Sequence, residues 1–390
     1  MNASRHSIEN QQQEIEGDGE LHEFESSSYT CGKCKQAEGV FLLRKQNRYC
    51  KECLELSLVS KVRGSVRHKR GGVAGGEHVG IFVSGGPSSL CAWYILDRFI
   101  SSPVDGRREK RKIPFGMHVV HVVDIGEGRK ASCVMEYMRQ ECPVLEEIKA
   151  EEVLYPESQG NTSRIAELLE TVQDCTGRKD LENILLKRVM LHKARECGWS
   201  HIFVGHSADT KAAQAVAAAA KGQGYALSRF SETVESYDGG IGANTKILYC
   251  MKDVSLEEVS CLSSSIMGGS VPVETDINRH DIHDLAVHFT TLLQQSNPGG
   301  VSNILSSLGK LDVPEPHVPT CPLCLEPLHP DEVPDSGSET HLDALCDSCK
   351  VGIFGSASHA SLAGSDYALD VFSKLPMCIQ NDITQGFHSK

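Results

Sequence analysis

Eight cysteines set in four Cys-x-x-Cys pairs constrain this 390-residue chain more than any other feature. Cys31 and Cys34 are followed, fifteen residues on, by Cys50 and Cys53; Cys321 and Cys324 are followed, twenty-one residues on, by Cys346 and Cys349. Each pair places two thiols on one side of a tight turn. A second turn brought opposite completes a tetrahedron with sulfurs about 2.3 Å from a zinc ion. The first couple has the spacing of a zinc ribbon, with Val40-Phe41-Leu42-Leu43 as the strand between its knuckles, and the second is slightly longer. Two closed structural zinc sites are expected, with an iron–sulfur centre as the other occupant that four thiolates can take. His341 stands near enough in sequence to compete as a ligand of the second set. The total of sixteen cysteines, with no basic-then-apolar leader pattern in the first twenty residues, points to metal rather than disulfides. Of the others, Cys91, Cys133 and Cys197 fall in expected helices and read as buried small hydrophobes.

Between the two couples, apolar strand-like runs alternate with helical ones. Val79–Val83 precedes a helix carrying Leu90, Trp93, Tyr94, Leu96 and Phe99 on one face, and His118–Val123 precedes a helix around Cys133 to Arg139. A third strand is expected over Ile148–Leu154, then a long helix from Leu181 to Cys197 that Gly198 ends. His201–Gly205, a helix from Asp209 to Lys221, and a strand at Ile247–Tyr249 complete the pattern. Alternation with nearly continuous apolar strands predicts an α/β fold, a doubly wound parallel sheet flanked by two small zinc-ribbon modules. No apolar run reaches the roughly 18 residues of a membrane helix, and a soluble, cytoplasmic protein with no membrane partner is expected.

Ligands of such sheets sit at the carboxyl ends of the strands. Three polar clusters fall there: Ser84 to Ser89, Asp124, and His206 to Thr210. In the first, Gly85 and Gly86 remove the Cβ atoms that would obstruct a ligand, Ser84 and Ser89 bring hydroxyls, and a helix start directs free N–H groups outward. That is an anion cradle for phosphate or pyrophosphate, although a Ser-Gly-Gly turn taken alone is more often an ordinary structural turn. His118 and His121 lie on the same expected strand and read as packed or surface residues rather than ligands.

These residues carry a resemblance. Val83-Ser84-Gly85-Gly86-Pro87-Ser88-Ser89 resembles the Ser-Gly-Gly-x-Asp-Ser loop of the PP-loop ATP pyrophosphatase (adenine nucleotide alpha hydrolase-like) superfamily. Gly205-His206-Ser207-Ala208-Asp209-Thr210 is similar to its Gly-His-Asn-x-Asp-Asp segment, and Lys221-Gly222-Gln223-Gly224 to the Lys-Gly-x-Gly run of its tRNA-thiolating branch, which also has cysteine couples at both ends. The resemblance, covering about residues 29 to 350, implies a part in 2-thiolation of wobble uridine 34, giving 5-methoxycarbonylmethyl-2-thiouridine. In that chemistry ATP adenylates the uridine C2 oxygen and a ubiquitin-related modifier delivers sulfur from its thiocarboxylate. It implies nucleotide or phosphate contacts at Ser84, Gly85, Gly86, Ser88, Ser89, Asp124, His206 and Asp209, with ATP as a candidate ligand. The departures point to the family's diverged partner subunit. Ser88 and Thr210 stand where active members have Asp, Cys175 lacks the second cysteine of a Cys-x-x-Cys, and Gln223 replaces an Arg. A non-catalytic subunit, paired with a catalytic one and aiding tRNA binding, is the expectation. An autonomous ATP-dependent tRNA-modifying enzyme and a zinc scaffold without RNA contact are the competing readings.

Charge fits that expectation unevenly. The chain carries 39 basic and 52 acidic residues, a net charge of −13, which excludes a protein that coats nucleic acid with its whole surface. Residues 1–28 read as a disordered acidic tail. After the N-terminal ribbon (29–55) comes a basic linker (56–77) with Lys61, Arg63, Arg67, Lys69 and Arg70, which with Lys221 are candidate tRNA phosphate contacts. A second basic run holds Arg107, Arg108, Lys110, Arg111 and Lys112. Each run alone is also what a solvated linker looks like. The α/β domain is placed at 78–270, a helical extension at 271–315 with Leu285, Phe289 and Leu292 on one side of a helix, the C-terminal zinc module at 316–352, and a tail at 353–390. Aromatics make up only 6% of the chain, so RNA contact would be to backbone and shape rather than to stacked bases.

Overall fold

The computed structural model describes residues 30–43, 47–69, 71–101, 115–125, 133–157, 164–236, 244–269, 271, 281–313, 318–333, 341–355 and 366–388. The acidic tail, Arg70, the basic run at 107–112 and the side chain of His341 lie outside the described residues.

Strand β1 (Phe41–Leu43) is the one expected between the first two knuckles, and it forms an antiparallel pair with a second strand, β2 (Asn47–Tyr49). Helix α1 (Lys51–Val66) then leads into a six-stranded sheet. Its strands are β3 (His78–Phe82), β4 (Gly116–Val123), β5 (Leu145–Lys149), β6 (His201–Val204), β7 (Val234–Ser236) and β8 (Lys246–Tyr249). The order is β5-β4-β3-β6-β8-β7, parallel throughout except for β7, an antiparallel edge strand. Between them run α2 (Pro87–Ile95), α3 (Cys133–Glu141), α4 (Ala150–Leu154), α5 (Arg164–Thr171), α6 (Cys175–Cys197), α7 (Ala208–Ala220) and, after β8, α8 (Leu256–Met267). Helices α9 (Ile282–Ser296), α10 (Gly300–Leu308), α11 (Asp347–Gly352), α12 (Asp366–Lys374) and α13 (Met377–His388) follow.

The strands are apolar without alternation because both faces of the sheet are covered. Val79, Ile81, Val119, Phe203 and Leu248 join one buried layer with α1, α2, α3 and α8. Phe82, Val120, Val122, Ile202, Val204 and Ile247 join the opposite layer with α6, α12, α13 and the second cysteine module. Residues 366–388, read from sequence as tail, are helices whose Val371, Ile379 and Ile383 are fully buried in that layer. Similarly, the first half of the stretch read as a basic linker, 56–66, belongs to α1, with Leu58 and Val62 in the core.

Three local expectations need correction. The third strand ends at Lys149 and residues 150–154 turn into α4. Cys133 and Cys197 are exposed, because each sits at a helix end facing solvent, whereas Cys91 is buried as expected. On α9, Leu285, Phe289 and Leu292 do share a side, but that side faces outward. The small residues Ala286 and Thr290 are the buried ones, and α9 packs on the alanine-rich α7.

Candidate nucleotide-fold site and cysteine centres

Strand order reverses at β3, which has β4 on one side and β6 on the other, so the crevice of this sheet opens beyond the carboxyl ends of β3 and β6. A cavity of about 440 Å³ lies there, reaching Phe82, Val83, Val122, Val204, Ile247 and Tyr249.

The turn after β3 is held by its own hydroxyls. Ser89 Oγ donates to the Gly86 carbonyl at 2.8 Å and accepts from Ser84 N–H at 3.3 Å, while Ser84 Oγ accepts from Gly86 N–H at 3.4 Å. Gly85 at φ +86° makes the left-handed turn that L side chains resist. The turn after β6 presses against it. A Cβ on Gly205 would stand 2.7 Å from Ser89 Cα and 3.0 Å from the Ser88 carbonyl oxygen, so glycine is required where the two loops meet.

Of the sequence-derived phosphate residues, the structure brings Ser84, Ser89 and His206 onto the cavity wall. Gly85, Gly86 and Ser88 shape the turn beside it, and Asp124 is exposed at the end of β4 with φ +60°. Asp209 turns away: its carboxylate accepts the N–H of Leu256 at 2.6 Å, capping α8. Ser207 caps α7 itself by accepting from Thr210 N–H. Among the candidate tRNA residues, Lys61 donates to both oxygens of Glu258 at 2.7 Å, and Lys221 lies on the cavity rim, paired with Asp180 at 2.5 Å. Arg67 and Lys69 are exposed, and Arg63 is half-buried.

The charged wall of the cavity was not visible in the sequence. Lys187 of α6 pairs with Glu235 of β7 at 2.7 Å and with Glu326 of the second cysteine module at 3.0 Å. Arg229 joins the same two carboxylates at 3.2 Å, and Tyr249 Oη donates to Glu235 at 2.6 Å. Burial opposes the charge on Lys187, yet Glu235 and Glu326 more than compensate and raise its pKa. Asp180 is held below the usual carboxylate range by His283 and Lys221 despite its burial. Lys211 differs. It is 3% exposed and makes no salt bridge among the described residues; its ammonium lies 3.7 Å from the centre of the Tyr249 ring. Burial pulls its pKa down to about 8, against the attraction of Glu235 and Glu326 and with Lys187 and Lys252 adding to the fall. His206, stacked on Tyr249 at 5.5 Å, is pushed by burial and by Lys211 down to about 4. The one signal available in the sequence was a single lysine inside the helix Ala208–Ala220, otherwise rich in alanine.

Each cysteine couple closes on itself. The four ligand sulfurs of Cys31, Cys34, Cys50 and Cys53 lie within 4.8 Å of one another, as do those of Cys321, Cys324, Cys346 and Cys349. The two knuckles repeat one geometry: Lys35 N–H donates to the Cys31 carbonyl and Leu325 N–H to that of Cys321, with Lys35 and Leu325 both left-handed. Cys50 and Cys346 each occupy the cap position of a helix. Separations of 3.9 Å between Cys34 and Cys50 and 3.7 Å between Cys324 and Cys346 match the edge of about 3.8 Å in a tetrahedron with metal–sulfur bonds of about 2.3 Å. Burial raises the Cys31 thiol, but N–H groups of Cys34, Cys50 and Lys33 bring it down to about 6, whereas burial and the neighbouring thiols push Cys53 up to about 12. Both clusters fit a metal ion. The second also walls the cavity, through Cys324, Glu326, Ser348 and Cys349.

No protein-family model matches the chain. Human cytoplasmic tRNA 2-thiolation protein 2 is 23% identical over 354 residues, covering 73% of this chain and 68% of that protein. Its namesake from Phaeosphaeria nodorum is 23% identical, covering 79% of this chain and 87% of the relative. The Arabidopsis thaliana protein of the same name is 25% identical over 68% of this chain, which spans about three-fifths (59%) of that relative's length. A solved structure, the U34-tRNA thiolase NcsA from Methanococcus maripaludis with its 4Fe-4S cluster, aligns with a TM-score of 0.49 and 15% identity, over 77% of this chain and 93% of that one. Among the described residues no helix is long and apolar enough to cross a membrane. With its two tetracysteine centres and its mostly parallel sheet, this chain is a distant homologue of cytoplasmic tRNA 2-thiolation protein 2.

Proposed function

We propose that this chain is a non-catalytic subunit of a cytoplasmic tRNA thiolation complex. It would aid tRNA binding and support a catalytic partner that 2-thiolates wobble uridine 34 with sulfur from a ubiquitin-related modifier thiocarboxylate. The observation that carries the reading is the crevice at β3 and β6. It keeps the glycine turn, but Ser88 and Thr210 stand where a reaction on metal-bound ATP needs carboxylates, and Asp209 is engaged in capping α8. The remaining acids around the cavity, Asp180, Glu235 and Glu326, are each paired with cations. Cys175, at the start of α6, is exposed and belongs to neither tetracysteine cluster.

Zinc suits both clusters, because the sulfur separations are those of one ion shared by four thiolates. A cluster of several irons would hold its thiolates farther apart. Elemental analysis is expected to return two zinc ions per chain.

The test is a single-turnover reaction of the purified chain with ATP, thiocarboxylated modifier and tRNA, with and without the catalytic partner. Sulfur is expected in tRNA only when the partner is present. Thiolation or adenylation by the chain alone would overturn the reading in favour of an autonomous enzyme. A complex that needs this chain for activity but holds tRNA with the same affinity without it would overturn the tRNA-binding part in favour of a scaffold, and a complex equally active without it would overturn the whole reading.

A further inference from the structure

We propose that Lys211 is the residue by which the strand-end cavity selects its ligand, and that this ligand is a metal-free phosphate monoester with an apolar body, rather than a magnesium-bound triphosphate. The inference rests on the crevice being a ligand site.

Four cations line the cavity, Lys187, Lys211, Lys221 and Arg229, against three acids, Asp180, Glu235 and Glu326. Three of the cations are paired to those acids at 2.5 to 3.2 Å. Lys211 is left over, its ammonium lying 3.7 Å from the centre of the Tyr249 ring and 5.5 Å from that of Phe230. The aromatic face holds the ammonium on the cavity wall without neutralising it. A buried lysine without a counter-ion opposes folding, and a methionine of similar length would fill the same space at no such cost. An anion from outside the chain completes the arrangement. Ser84 and Ser89 line the same cavity, while Val122, Ile184, Met190 and Ile353 give it an apolar side. One unmatched positive charge suits one phosphate. With every cavity acid already paired, no free carboxylate remains among the lining residues to hold magnesium.

The charged groups around Lys211 come from the elements packed about it: Glu235 on β7, Glu326 on the cysteine module, Lys187 and Asp180 on α6, Lys221 at the end of α7, His283 on α9, Lys252 after β8, Arg229 in the 224–231 turn and His206 after β6. Burial, only partly offset by Glu235 and Glu326, leaves Lys211 titrating at about 8. An anion raises that value, so its binding draws in a proton above neutrality and weakens as pH rises through 8.

Calorimetry of the full chain with AMP, adenosine and magnesium ATP tests the proposal without tRNA or partner, so its failure is separable from failure of the thiolation reading. AMP is expected to bind at least about tenfold tighter than adenosine at pH 7, the range of one charge-assisted contact, and tighter than magnesium ATP. Binding at pH 8.5, compared across buffers of different ionisation enthalpy, should show uptake of a fraction of a proton. Lys211→Met is expected to abolish the AMP preference without lowering Tm. Lys211→Arg should keep the preference and remove its loss above pH 8. Equal binding of AMP and adenosine by the wild-type chain overturns the proposal, as does tighter binding of magnesium ATP. So does an AMP preference that survives in Lys211→Met; if that variant fails to fold, an unchanged pH profile in Lys211→Arg decides against it.

Discussion

Two residues of near-identical local sequence context do unlike things here. Asp209 and Lys211 are two apart on α7, and only the second faces the cavity. A motif reading assigns Asp209 to phosphate because it follows a Gly-His at a strand end, but Leu256 N–H at 2.6 Å takes its carboxylate. Local spacing reports which side of a helix a residue occupies. It cannot report that α8 begins against that side, 47 residues later. Gly205 was legible as part of a motif, though not for the reason the structure gives, which is the approach of Ser89 Cα. Gly205→Ala should therefore destabilise the fold by about 2–3 kcal/mol through overpacking against backbone that cannot yield. Urea midpoints measure this. A variant within 0.5 kcal/mol of wild type, by the usual scatter of surface changes, would mean the loops do not meet as described.

At the scale of elements, the two tetracysteine modules look alike in sequence and differ in what they hold. The first is a small cluster of its own cysteines with Tyr49, at the tip of α1. The second is continuous with the main core: Leu323, Leu328, Leu345, Ile353 and Phe354 pack in one layer with α6, α12 and α13. Arg188, 1% exposed, fixes it to α6 by donating to the carbonyls of Leu323 and Pro322 and pairing with Asp382 of α13 at 2.5 Å. The spacing of the cysteines made both modules legible. Their unequal coupling was not, since it depends on partners 134 to 194 residues apart. Cys31→Ser should release one metal ion and loosen residues near the tip with little change in the main unfolding transition. Cys346→Ser should release one ion and lower the main Tm by several degrees, because four-thiolate metal binding supplies folding energy to whatever packs on it. Calorimetric scans with metal analysis distinguish the two. Equal effects would contradict the packing. Arg188→Met should cost about 3 kcal/mol, leaving Asp382 and two carbonyls without their donor.

Over the whole molecule, buried positive groups other than Lys211 are matched by carboxylates inside while the net balance stays acidic. His206 carries a consequence for stability. Its pKa is about 4 in the fold and 6.5 when unfolded, so between those values the unfolded chain binds more protons. The neutral imidazole's contribution is complete above 6.5 and is lost as pH falls to about 4, a loss of about 3 kcal/mol. His206→Gln should flatten that part of the pH–stability curve relative to wild type, and parallel curves would refute the assignment. The same matching bears on tRNA. Lys61 and Lys221 were read from sequence as phosphate contacts, but each already has a carboxylate at 2.7 and 2.5 Å, and a paired lysine adds little to counterion release. Arg67 and Lys69 are the exposed ones among the described candidates, on a chain of net charge −13. Alone it should therefore hold tRNA weakly, with a shallow dependence of log affinity on log salt to which these two contribute at most about two phosphates' worth. Under the proposed role, a complex with a catalytic partner should show a steeper one. Replacing Arg67 and Lys69 together by glutamate should reduce that slope by about two without moving Tm, whereas Lys61→Met should leave the slope unchanged and lower Tm by freeing Glu258, which is only 9% exposed. A slope that falls with Lys61→Met and not with the double variant would reverse the assignment and place the RNA across α1 and α8.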